Sequence, residues 1–310
     1  MDAVARIAGT FLMDSASPYI FGEVLFDCFP TGERVLGGAP FNVAWHLQAF
    51  GEAPRFISRV GNDRDGNSIL DAMLKWGMRT DGVQIDEDLP TGRVDITFNA
   101  AGEPAYNIVH PSAYDAITPD DVAGHCSMIY HGSLALRDAA SSHALVHLKR
   151  RLATKAFVDV NLRVPWWRKE HVAQLLDDAD WVKLNTDEMR LLAPTPSDAQ
   201  AFIVEHKLQG LILTHGAKGA EIVTPGGRTV RVLPAKNLNV VDTVGAGDAF
   251  ASVMLLGLLR NWPLQLTAER AQSFASRMVG QRGATVHDPH FYDDVMAAWQ
   301  MDGRQELADV

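Results

Sequence analysis

The chain has 310 residues, 47% of them hydrophobic and 21% charged, which suits one large α/β domain or a domain with an appendage. A formal net charge of −10 leaves no basic footprint for nucleic acid and disfavours an anionic membrane surface. Cys28 and Cys126, the only cysteines, form neither a disulfide framework nor a metal motif, which points to reduced thiols in a cytoplasmic protein.

Residues 1–18 carry no strong apolar stretch and no signal-peptide pattern, and are expected to be an extension, open to disorder. Regular patterning starts at Tyr19. Tyr19–Cys28 is predicted as one buried strand bearing two carboxylates, Glu23 and Asp27. The turn GGAP (37–40) leads into a helix whose apolar positions Phe41, Ala44, Trp45 and Leu47 have helical spacing. Arg55–Val60 is predicted as a strand and Ser68–Gly77 as a helix. Gly82–Gln84, Gly92–Asn99 and Ala105–His110 lack long intervening helices, so they are expected to form a small antiparallel element.

From about residue 125 the pattern changes. Ser127–His131, Ala156–Val160, Trp181–Leu184, Leu211–Thr214 and Ala220–Thr224 are short apolar strands, most of them separated by helical stretches. That alternation implies a mostly parallel sheet with ligands at the strand C-terminal ends. Asn161 and Arg163, Asn185 and Glu188, and Gly216 and Gly219 all fall at such ends.

Several of these residues fit two roles. In DVNLRVPWW (159–167), Asn161 and Arg163 suit a plain loop, or recognition of hydroxyls or phosphate. In KLNTDE (183–188), Asn185, Thr186 and Glu188 suit a helix cap, and Glu188 equally suits water held on Mg²⁺. In LILTHGAKGAEIV (211–223), Thr214, Gly216, Lys218 and Gly219 suit a hairpin turn, or close approach to phosphate oxygens. Gly245-Ala246-Gly247-Asp248 opens a long apolar helix. It suits a tight turn with Asp248 on the helix dipole, or an N–H anion site with a carboxylate placed to take a proton.

Other motifs carry less. The chain lacks GxxxxGK[ST], GxSxG and HExxH, and GAGDAF lacks the third glycine and the ribose-binding acid of a dinucleotide fingerprint. His143 and His147 lie beside Lys149, Arg150 and Arg151, which favours a solvated face over a metal site. HDPH (287–290) invites the same scepticism.

GGAPFNVAWHLQAFG (37–51) and DTVGAGDAF (242–250), with KLNTDE, THGAKG and QRGAT in order between and after them, resemble the ribokinase-like (PfkB) family of carbohydrate kinases. The resemblance runs from about Tyr19 to about residue 300. It implies a three-layer α/β/α domain over 19–310 with a mostly parallel sheet, and a small β lid from about 20–36 and 92–110. The lid often pairs with a second subunit's lid, which implies a homodimer.

The resemblance also implies roles. Asp248 would be the base toward the sugar hydroxyl, and the N–H groups of Gly245, Ala246, Gly247 and Asp248 the anion hole. Asp27, Gly38 and Asn42 would bind sugar, with Asn161 and Arg163 beside them. Asn185, Thr214, Gly216, Lys218 and Gly219 would face ATP, with Glu188 near Mg²⁺. Asp242 and the Val244 backbone would match the monovalent-cation (K⁺) site of some members.

GGAP followed by Phe41-Asn42 is more similar to fructokinases and 2-keto-3-deoxygluconate kinases than to ribokinases. No Lys or Arg occurs between Val94 and Leu136, whereas Asn99, Tyr106, Asn107 and His110 suit neutral hydroxyls. A neutral hexose, fructose first, is therefore the expected acceptor, and a keto acid or another PfkB substrate the alternative. A non-catalytic nucleotide or sugar sensor on the same fold, and a dinucleotide-dependent oxidoreductase, are the rivals from other classes.

Overall fold

The computed structural model describes residues 16–99, 102–119, 125–193, 198–235 and 240–308, with side chains described up to residue 300. The first fifteen residues of the expected N-terminal extension lie outside that set. The described chain joins the sheet two residues earlier than the patterning suggested, at Ser17.

The strands are β1 (Ser17–Phe21), β2 (Leu25–Cys28), β3 (Arg34–Gly37), β4 (Arg55–Gly61), β5 (Val83–Asp86), β6 (Gly92–Phe98) and β7 (Pro104–Ile108), followed by β8 (Cys126–His131), β9 (Ala156–Asp159), β10 (Trp181–Asn185), β11 (Gly210–Thr214), β12 (Ala220–Val223) and β13 (Thr229–Val232). The helices are α1 (Ala39–Ala49), α2 (Arg64–Lys75), α3 (Ala139–Leu152), α4 (Lys169–Asp177), α5 (Thr186–Leu192), α6 (Ala199–His206), α7 (Ala246–Leu259), α8 (Leu264–Met278) and α9 (Pro289–Ala308). Nine strands form one sheet in the order β13-β12-β11-β10-β9-β8-β1-β4-β5, flanked by helices. Every neighbouring pair from β5 through β11 is parallel; β12 runs against them, and β13, antiparallel to β12, runs with them again. Such a sheet is buried on both faces, which is why its strands are apolar runs such as Tyr19-Ile20-Phe21 and Leu211-Ile212-Leu213.

β1 pairs with β8 on one side and β4 on the other, so the strand order reverses there. An open α/β sheet binds ligands outside the strand C-termini at that reversal. Gly22 ends β1 at φ +151°, and a Cβ there would stand 2.5 Å from Pro40 Cγ. The chain then leaves the main sheet through Glu23 and Val24 to begin a second one.

That second sheet, in the order β3-β2-β6-β7, covers the C-terminal ends. β2–β3 and β6–β7 are antiparallel and β2–β6 is parallel. Three expectations are corrected here. Tyr19–Cys28 is two strands in two sheets, because one glycine interrupts an otherwise continuous apolar pattern. The piece at Gly82–Gln84 belongs to β5, parallel to β4 in the main sheet, and α2 begins at Arg64 rather than Ser68. Asp63 caps α2 by accepting from the Gly66 N–H, a start signal that the apolar spacing alone missed.

α7 is buried from Ala249 to Gly257, hence apolar all round. It lies between α1 and α8, and Gly257 lets α8 approach so closely that a Cβ would stand 2.2 Å from Thr267 Cγ2. Roughly 1.5–3 kcal/mol accompanies full burial of each large apolar side chain, and α7 buries Phe250, Val253, Met254, Leu255 and Leu256. The first turn of α7 is thereby fixed in place beneath the second sheet. No helix among the described residues is long and apolar enough to cross a membrane.

Candidate active site

A cleft of about 1510 Å³ lies between the second sheet and the C-terminal ends of β1, β8, β9, β10 and β11. Its two ends differ in chemistry.

At one end, Gly37 and Gly38 let α1 start against the β1 exit. Gly38 adopts φ +112°, and a Cβ there would meet the Glu23 carbonyl at 2.7 Å. A Cβ on Gly37 would meet both Asn42 Oδ1 and Asp27 Oδ2 at 3.9 Å, so these two polar groups face one volume. Asn42 Nδ2 donates to Asp248 Oδ2 at 2.7 Å, which joins α1 to the first turn of α7. Asn42 Oδ1 and Glu23 Oε2 are buried without a hydrogen-bond partner among the described residues.

Gly245 is the N-cap of α7 at φ +76°, and a Cβ there would stand 2.4 Å from Ala284 Cβ. The helix starts at Ala246, one residue later than the expected first turn. Its opening N–H groups lack helical acceptors and carry the positive end of the dipole. Gly247, by contrast, has no positive φ, and a Cβ there would meet only Lys183 Nζ, at 3.6 Å.

Lys183 is buried on β10 directly beside Asp159 of β9 and donates to both carboxylate oxygens, at 2.9 and 2.8 Å. Tyr130 Oη donates to the same carboxylate at 3.1 Å. Burial works against the Lys183 charge, but Asp159 outweighs it and holds the ammonium above its ordinary value. A buried Lys183–Asp159 ion pair therefore stands below the α7 N-terminus.

Burial pushes the Asp248 carboxyl up to about 6, against the Asn42 hydrogen bond that favours its charged form. Burial pushes Glu23 to about 7, and Asp27 is raised for the same reason. Arg163 opposes all three shifts through its charge, while forming no ion pair among the described residues. Asn161 just before it is left-handed at φ +43°, an uncommon backbone for a non-glycine residue and one that recurs at functional sites.

At the other end of the cleft, Asn185 and Glu188 form the capping box of α5. Asn185 Oδ1 accepts from the Asp187 and Glu188 N–H groups, and Glu188 accepts from the Asn185 and Leu162 N–H groups. Both residues still line the cleft, together with Thr214, Gly216 and Gly219. Gly219 adopts φ +90° with the Val232 carbonyl where a Cβ would go, while Gly216 at φ +57° faces open space. Asp242 accepts from the Val244 and Gly283 N–H groups and thereby shapes the loop leading into Gly245.

A family model described as pfkB family carbohydrate kinase matches residues 22–290. The chain belongs to the pfkB family of carbohydrate kinases. It is 31% identical to a fructokinase of Escherichia coli over 79% of this chain and 85% of that protein. An uncharacterized sugar kinase of Pyrococcus horikoshii in complex with ATP superimposes at TM-score 0.71 with 26% identity, over 86% of this chain and 93% of that one. A fructokinase of Vibrio cholerae, a double mutant with fructose, ADP and potassium bound, superimposes at 0.76 with 23% identity, over 87% and 94%. The expected class, a carbohydrate kinase on a mostly parallel sheet with a separate small one, is borne out.

Within this carbohydrate kinase the expected site residues converge on one cleft, with an exception. Lys218 is exposed on the turn after β11 and does not line it. Of the four polar residues expected to face the acceptor from the second sheet, only Tyr106 lines the cleft. Strand alternation puts Asn107 on the other face, Asn99 closes the β6–β7 turn, and His110 pairs with Asp138. His110, Asp115 and Asp138 are near enough for a metal, but Arg137 already occupies both Asp115 oxygens. Two site residues, Glu23 and Lys183, were given no role from sequence. Each is a charged residue among buried apolar neighbours, the one signal that could have marked them.

Proposed function

We propose that this kinase transfers the γ-phosphoryl group of ATP to a hydroxyl of a neutral hexose, fructose first among them. The observation that carries the proposal is the charge at the acceptor end, where three acids, Glu23, Asp27 and Asp248, line the cleft with one guanidinium, the exposed Arg163, whose charge acts on each of them without pairing with any. A substrate carboxylate or phosphate placed there is repelled by each acid that is ionised, Asp248 above about 6 and Glu23 above about 7, whereas hydroxyls can bond to each of them. The other lining cations are committed: Lys183 to Asp159, and Arg282 to Glu33. Leu25, Val94, Ile96 and Ile108 supply an apolar ceiling without charge.

In this proposal Asp248 takes the hydroxyl proton as the oxygen attacks. Its raised affinity for protons, about 6, suits a base working near neutrality. The N–H groups from Gly245 to Asp248 stabilise charge on the transferring phosphoryl group. Asp27, Gly38, Asn42, Asn161 and Arg163 hold the sugar, and the second sheet excludes water that would otherwise take the phosphoryl group. Asn185, Thr214, Gly216 and Gly219 line the ATP end.

Glu188 fits a hydrated Mg²⁺ rather than a fully caged one, since each of its oxygens already accepts one N–H and retains a second lone pair. An ion there would offset charge on the ATP phosphates. Asp242 and the Val244 backbone are the proposed K⁺ position, supported by the potassium in the Vibrio cholerae fructokinase. Exposed Phe98 and Tyr106 on the second sheet support a homodimer through that sheet, and free Cys28 and Cys126 support a cytoplasmic setting.

Replacing the base tests the proposal. Asp248→Asn preserves size and removes the proton acceptor, so kcat with fructose is expected to fall about 10²–10⁴-fold with little change in ATP affinity. Near-normal turnover would remove Asp248 from the chemistry.

A further inference from the structure

We propose that Glu23 is a specificity-determining residue, whose open carboxylate oxygen bonds one hydroxyl of the sugar. The proposal rests on the neutral-sugar function above and adds a residue to it.

Glu23 is only 3% exposed, yet it lines the cleft. It stands just after β1, where the strand order reverses, and the backbone N–H groups of Glu23 itself and of Ala135, beyond β8, favour its charged form. The fold thus buries the side chain at the reversal while leaving Oε2 with no partner among the described residues. A buried carboxyl oxygen without a partner is costly, and such cost is retained where a ligand meets it. Asn42 Oδ1, open in the same way, lines the same volume. Two unmatched acceptors there call for hydroxyl donors. The charged and titratable groups facing Glu23 are Arg163, Asp248, Tyr114 and Tyr130, and burial raises its carboxyl to about 7. Tyr130 donates to Asp159, Tyr114 Oη accepts from Arg137, and neither hydroxyl bonds Oε2.

The test pairs side-chain and substrate deletions. Wild type, Glu23→Ala and Glu23→Gln are each assayed with fructose and its monodeoxy analogues, using ATP and Mg²⁺, and their folding is checked by thermal melting. A hydrogen bond to a charged group corresponds to roughly 10- to 100-fold discrimination. Wild type is expected to discriminate by that factor against at least one deoxy position. Glu23→Ala should lose it at one position only, and Glu23→Gln should retain part of it. Unchanged discrimination at every position in a folded variant overturns the proposal, and Glu23→Gln alone decides if Glu23→Ala does not fold. Wild type that turns over no neutral sugar overturns the proposed function, and the role of Glu23 with it. Wild type active on fructose with discrimination insensitive to Glu23 overturns this proposal alone.

Discussion

Asp248 and Gly247 occupy neighbouring positions on one turn but have different physical requirements. Asp248 must be ionised to accept a proton, and burial has moved its titration to about 6. The proposed mechanism therefore gives kcat/KM an acidic limb near pH 6, falling as pH drops below it, and Asp248→Asn should erase that limb along with most of the rate. Glycine at 247 is demanded neither by the backbone, which has no positive φ there, nor by crowding, since a Cβ would make only ordinary contact with Lys183 Nζ at 3.6 Å; on the proposed mechanism it leaves room for the phosphoryl group. Gly247→Val should accordingly fold and melt close to wild type, with kcat down about 10²–10³-fold, the usual scale for disturbing a preorganised anion site. A folded variant with normal turnover would show that the phosphoryl group is not held at this turn. Gly245 is the reverse case, since its φ of +76° and the contact with Ala284 make it a folding requirement.

At the scale of elements, the account depends on α7 being held rigidly between α1 and α8. Gly257→Ala tests that support away from the cleft. Alanine favours a helix over glycine by about 1 kcal/mol, but the new Cβ would meet Thr267 at 2.2 Å, and overpacking costs typically 1–3 kcal/mol. The steric term should win, lowering the melting temperature while kcat of the folded fraction stays near wild type; a stabilised variant would show that α7 and α8 can separate without strain. Much of this layer was legible in the chain, because the apolar runs of β8 to β11 and of α7 record burial on both faces. Less legible was where a pattern changes partners. Tyr19–Cys28 is mostly apolar, with Glu23 and Asp27 within it, and nothing in that pattern reveals that Gly22 moves the chain from one sheet to another. The β5 strand was misplaced because a short strand beside turns carries no sign of parallel or antiparallel pairing. Lys183 escaped notice because its partner, Asp159, is adjacent only through the register of β9 and β10.

For the whole molecule, the same buried acids that suit the cleft to hydroxyls act on folding. Glu23 has a folded-state value of about 7 against an ordinary 4.5, so between those values the folded chain keeps a proton that the unfolded chain releases. Its contribution is unpenalised below pH 4.5, becomes progressively destabilising as pH rises, and is fully so above 7. Without ligand, Glu23→Gln is expected to gain on wild type between pH 5 and pH 8, by on the order of 1–3 kcal/mol in denaturant unfolding; an equal difference at both pH values would contradict the raised affinity for protons. The acids also determine which substrates the proposed function admits. Sequence suggested a neutral acceptor from the missing cations between Val94 and Leu136. The cleft strengthens that expectation on other grounds, with Arg93 turned outward beside Asp95 and three acids lining the cleft against one guanidinium, Arg163. The most direct measurement is kcat/KM for fructose, 2-keto-3-deoxygluconate and fructose 6-phosphate with ATP and Mg²⁺. Fructose, or a close neutral hexose run beside it, is expected to exceed both anionic acceptors by at least about 10-fold, the scale of one unpaired charge–charge contact of about 1.4 kcal/mol. A clear preference for the keto acid would contradict the account and assign Arg163 to a substrate carboxylate.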